Sequence, residues 1–76
     1  MKYLRVFEWR SVSAVDYIAT TNNCNFEYTI RVVGYRFQLR IRATDHTNEI
    51  CREFNRLHDA MQFAYEHYWE QINFNS

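Results

Sequence analysis

One stretch limits the folds open to this chain more than any other: the fifteen residues from Tyr28 to Arg42 alternate apolar and polar positions on both sides of Gly34, the single glycine of the sequence. A period of two is the signature of a strand with one buried face, and a glycine at its centre marks where two such strands turn into each other. The stretch therefore predicts a β-hairpin. With Tyr28, Ile30, Val32, Tyr35, Phe37, Leu39 and Ile41 directed into a core, the opposite face carries Arg31, Arg36, Arg40 and Arg42 beside Thr29 and Gln38. Such a face has the means to grip an anionic group.

A chain of 76 residues makes one domain, read here as residues 1–76, near the lower size limit for a core that stabilises itself. Aromatic residues, 18% of the sequence, must supply much of the packing, because each buried ring removes a large area from water. No segment approaches the ~20 apolar residues of a membrane span. The first nine residues are broken by charges and lack a signal-peptide cleavage pattern, so they read as a strand of a cytoplasmic protein. Cys24 and Cys51 have neither C-x-x-C spacing nor a neighbouring His pair, and read as two reduced, partly buried small hydrophobes rather than a disulfide or a metal site.

Formal charge is zero but unevenly spread: residues 1–42 hold seven Lys or Arg against three Asp or Glu, residues 43–76 two against six. Either the halves neutralise each other inside one domain, or the polarity orients the molecule on a partner.

Strands are expected at about Tyr3 to Trp9, Ala14 to Thr20, the two arms of a hairpin from Phe26 to Ala43, and Glu49 to Phe54. Turns are expected at Arg10 to Ser13, Thr21 to Asn25, and Ala43 to Asn48. From Asn55, read as an N-cap, the period changes to about 3.6. Leu57, Ala60, Ala64, His67 or Tyr68, and Gln71 or Ile72 form the inner stripe of a helix reaching Asn73, flanked by Met61 and Phe63. The expected fold is α+β: a four- to five-stranded antiparallel β-meander packed on one C-terminal α-helix. One helix shields one side of a sheet, so the Arg-bearing side is expected to face solvent. Alternation also puts Phe7 and Trp9 opposite Leu4 and Val6, so one of these sets must lie on the open face or be covered, for which a homodimer is an economical solution.

Several of these elements resemble a loose group of short bacteriophage and prophage accessory proteins. The matching residues are Trp9, Tyr17 to Ala19, Tyr28 to Ile30, Phe37 to Leu39, and Leu57 to Ala60 with Ala64, His67 and Ile72. The resemblance implies an inhibitor or modulator that docks onto a larger host or defence protein in the host cytoplasm, with no catalytic residues.

The residues themselves lead to compatible expectations. His46, His58 and His67 stand apart in the sequence, and no metal or phosphate-binding motif accompanies them, so neither an enzyme nor a cofactor is expected. His46 reads as a loop residue beside Asp45, His67 as a packed histidine bonded at one nitrogen. Arg, Tyr and Trp are enriched at interface hot spots. The partner-binding candidates are thus Arg31, Arg36, Gln38, Arg40 and Arg42 on the sheet, and Tyr65 and Trp69 on the helix, the last two having edge packing as an equal alternative. Nucleic-acid or nucleotide binding by the Arg and aromatic face, and a structural subunit of a larger assembly, are the competing readings.

Overall fold

The computed structural model describes residues 7–21 and 25–74. Five strands and one helix follow in the order β1 (Phe7–Ser11), β2 (Asp16–Thr21), β3 (Phe26–Val33), β4 (Arg36–Ala43), β5 (Glu49–Phe54) and α1 (Leu57–Phe74). Spatial order equals chain order and every neighbouring pair is antiparallel, a five-stranded meander with the helix on one face. The α+β expectation is met.

The central hairpin forms as the alternation requires. Val33 pairs with Arg36, leaving Gly34 and Tyr35 as a two-residue turn, and Gly34 sits at φ 61°. A positive φ at the first turn position alone is the type II′ requirement, which twists the strands compatibly. Tyr35 departs from its expected place in the core: it is 98% exposed. The inward parity of Phe37, Leu39 and Ile41 does not extend back into the turn, because the second turn residue has no strand opposite it.

Tyr28, Ile30, Leu39 and Ile41 are fully buried on the inner face beneath Ala60, Ala64 and Tyr68 of α1. The two alanines keep the helix axis close to the sheet, while Tyr68 and Ile72 fill the space nearer the C-terminal end. Tyr68 and Ile72, rather than His67 and Gln71, complete the buried stripe. The helix of 18 residues spans about 27 Å at 1.5 Å per residue. Its first intrahelical bond runs from the Ala60 N–H to the Arg56 carbonyl, so Arg56 is the N-cap and Asn55, expected in that role, lies one position before it.

Phe7 and Trp9 join the helix side of the sheet, with Phe7 in ring contact with Trp9, Tyr28, Tyr65 and Tyr68. Leu4 and Val6, the other half of that expectation, lie outside the described residues, as do the start expected for the first strand and Asn22 to Cys24. The first turn falls later than expected. Arg10 and Ser11 remain in the ladder opposite Ile18 and Tyr17, and the chain reverses between Val12 and Val15. There the Ser13 hydroxyl accepts the Val15 N–H and donates to Asp16 Oδ2 at 2.9 Å.

Backbone polarity follows from the ladder. The Val12 N–H donates to the Asp16 carbonyl in the same register as the β1–β2 pairs. Glu8 and Arg10 therefore turn their backbone groups toward β2, whereas Phe7, Trp9 and Ser11 turn theirs to the free edge of the sheet.

Candidate interaction surface on the open sheet face

With the inner positions assigned to the core, alternation sends Arg31 of β3 and Arg36, Gln38, Arg40 and Arg42 of β4 to the side away from the helix. These five candidates share one face. They are not a free basic cluster, because each arginine meets a carboxylate from a neighbouring strand. Arg31 Nε lies 2.9 Å from Asp16 Oδ1, Arg36 Nη1 3.0 Å from Glu53 Oε1, Arg40 Nε 3.2 Å from Glu49 Oε2, and Arg42 Nη2 3.3 Å from Glu27 Oε1. Two of these pairs join the positive first half of the chain to the negative second half. The unevenness of charge along the sequence is thus partly offset within the sheet.

Asp16 is the most elaborately held of the acids. It faces Arg31 across the β2–β3 ladder and accepts a second guanidinium contact at 3.4 Å as well as the Ser13 hydroxyl. Hydrogen bonding from Arg31, then from Ser13, holds its carboxyl below the usual aspartate value, and Asp16 in turn raises Arg31.

Between these pairs runs a shallow groove of about 320 Å³, lined by Val12, Asp16, Ile18, Thr29, Arg31, Gln38 and Arg40 with Tyr17. Val12, Val15, Ile18 and Val33 leave apolar surface exposed around it. The face combines apolar contact area with fixed, alternating charge.

Tyr65 and Trp69 belong to a different surface. Their rings stack with centroids 6.4 Å apart and planes inclined by 20°, and remain 45% and 42% exposed. Phe7 abuts Tyr65 edge-to-face at 5.5 Å. The pair therefore closes the core beside β1 on the helix side, opposite the arginine face, so the seven candidates form two surfaces.

The histidines do not converge. His67 Nδ1 is 2.8 Å from the hydroxyl of buried Tyr28, and its ring meets Phe26 edge-to-face. Burial lowers its pKa from the ordinary value, with Glu70 pulling the other way. His46 occupies the β4–β5 loop, where Asp45 accepts both the backbone N–H and the hydroxyl of Thr47. Cys51, expected to be partly buried, is exposed on β5, because its parity puts it opposite Arg40 on the open face; its thiol donates to Glu49 at 3.4 Å, while Cys24 lies outside the described residues. Among the described residues no three His, Cys, Asp or Glu side chains gather as a metal would require, and none of the described helices is long and apolar enough to cross a membrane.

Sequence patterning sets Glu8, Asp16 and Glu27 on strands neighbouring the arginines but does not single out Ile18, Glu49 or Glu53 as members of this face. Parity carries the signal: once Glu49 to Phe54 is read as a strand with Ile50 and Phe54 inward, Glu49 and Glu53 must sit beside the arginines of β4.

Comparison with known proteins adds no identity to this geometry: no family model, curated protein or solved structure matches the chain.

Proposed function

We propose that this chain is a small non-enzymatic binding protein that docks a larger protein on the open face of its sheet. The observation that carries the proposal is the groove through Ile18, Thr29 and Arg40, with exposed valines around it and an ion pair beside each arginine. An interface needs apolar area for affinity and oriented charge for register, and this face combines both. Its ion pairs are solvent-exposed and cost little to exchange for pairs with a partner. The resemblance to phage accessory proteins supplies the class of target, a host or defence protein to be inhibited or modulated in the host cytoplasm.

Nucleic-acid binding is disfavoured by the same pairs. A phosphate would have to compete with a carboxylate already within 3.3 Å of each of the four arginines, and the expected excess of positive charge is missing from the face.

The test is affinity capture from bacterial lysate by the tagged chain, with and without nuclease and at two salt concentrations, repeated with Arg36→Glu/Arg40→Glu. One stoichiometric protein that survives both treatments and disappears with the double variant supports docking on this face. Capture unchanged by a folded double variant removes the face from the mechanism; loss on nuclease treatment transfers the function to nucleic acid.

A further inference from the structure

Four of the five arginines on the open face are answered within the chain. Among the described residues, the open-face charges that enter no ion pair are Glu8 and Arg10, two positions apart on β1. Strand β1 is an edge, and the backbone N–H and C=O groups of Phe7, Trp9 and Ser11 point outward from it. The short strand carries neither lysine nor proline to discourage pairing.

We infer that this edge is a homodimer interface, its occupant a second copy of β1 running antiparallel about a two-fold axis through Trp9. This register places Trp9 opposite Trp9 of the second copy, Phe7 opposite Ser11, and Glu8 opposite Arg10. The first two kinds of pair are hydrogen-bonded positions, so every outward backbone group of Phe7, Trp9 and Ser11 finds a partner. The Glu8 and Arg10 pairs fall at the non-hydrogen-bonded positions, where side chains approach most closely, and symmetry forms two of them. The chain is thereby complementary to itself in backbone and charge at once.

The surroundings fit the same occupant. The axis stands perpendicular to the sheet, so both helices lie on one side, and the exposed Tyr65 and Trp69 beside each β1 face each other across the seam. The opposite edge behaves differently. Register through Ala43 and Asn48 turns the backbone groups of Glu49, Cys51 and Glu53 outward on β5, and self-pairing about Cys51 would set Glu49 against Glu53 twice. Like charges at facing positions disfavour that association. Pairing at β1 alone closes at two copies and yields one ten-stranded sheet that presents the open face twice.

Sedimentation equilibrium over a concentration series tests the inference without reference to any outside partner. The wild-type chain is expected to dimerise; Glu8→Arg and Arg10→Glu, each of which opposes like charges twice, are expected to weaken the dimer about tenfold or more. Glu8→Arg/Arg10→Glu restores opposite charges at the same positions and is expected to recover it. Glu8 and Arg10 face Thr20 and Ile18 within the chain, so the swap leaves intramolecular pairing neutral. Hydrogen exchange supplies a readout that does not depend on the variants: the amides of Phe7, Trp9 and Ser11 gain protection as concentration rises. A wild-type monomer at every concentration, a dimer indifferent to both single reversals, failure of the swap to restore association, or concentration-independent exchange at those amides would each overturn it.

Discussion

Two of the described residues stand in left-handed backbone conformation, and they differ in what that costs. Gly34, at φ 61°, has nothing within 4 Å of where a Cβ would stand, so Gly34→Ala meets only the backbone penalty. It should lower stability by about 1 kcal/mol in urea titration. His46 holds φ 64° with a full side chain. His46→Gly should raise stability by about 0.5–1 kcal/mol, and His46→Val should lower it, because a β-branched residue tolerates this region worst. Equal midpoints for all three would show that the loop relaxes out of the conformation.

His67 is the residue through which acid should act first. The unfolded chain protonates it near 6.5, while burial holds the folded value lower. Between those values the unfolded state binds more protons, so His67's contribution is complete above 6.5 and shrinks as pH falls through its folded pKa. The Tyr28 hydroxyl shares a 2.8 Å bond with Nδ1 whose direction depends on the tautomer, and the imidazolium can only donate in it. Melting temperature should therefore fall as pH drops below neutral, ahead of the loss from Asp16 and Asp45, whose lowered values confine their effect to more acidic solution. His67→Gln should remove the earlier fall; its persistence in that variant would assign it elsewhere.

The helix shows at the level of an element how small residues set a distance. Ala60 and Ala64 are fully buried over Tyr28, Ile30, Leu39 and Ile41, and larger side chains there would have to lift the helix off the sheet. Ala64→Leu should cost about 1–3 kcal/mol despite its better transfer energy, whereas exposed Gln62→Ala should change little. Calorimetry on the pair decides whether close approach or apolar content governs this interface. The period of 3.6 from Leu57 onward made the helix and its stripe readable in advance. Asn55 is the better capping type, yet the cap falls one residue later at Arg56, because side-chain preference does not decide where the chain leaves β5.

Across the whole molecule, packing is uneven. The helix lies chiefly on β3, β4 and β5, the β2–β3 ladder joins Asp16 to Ile18 with Arg31 to Thr29, and β3–β4 pairing runs unbroken from Phe26 opposite Ala43 to Val33 opposite Arg36. Hydrogen exchange should be slowest in β3, β4 and the centre of α1, with the monomer's β1–β2 hairpin opening first. Uniform protection would show that Phe7, through its contacts to Tyr65 and Tyr68, binds the hairpin into one cooperative unit.

Sequence alone determined the hairpin from Phe26 to Ala43, the fifth strand from Glu49 to Phe54, the helix and most of the buried set, because each is written as a local period of two or 3.6. It also determined that Arg31, Arg36, Gln38, Arg40 and Arg42 share a face, since parity along two strands joined by a two-residue turn is a local property. Only the tertiary structure decided what that face is. Whether an arginine is free or answered depends on which carboxylate stands on the adjacent strand, a matter of register between segments as distant as Arg36 and Glu53 or Arg31 and Asp16. Register decided likewise that Glu8 and Arg10 lie at an edge with no ion-pair partner among the described residues, and the path of α1 across the sheet put Tyr65 and Trp69 on the other side of that edge, against Phe7.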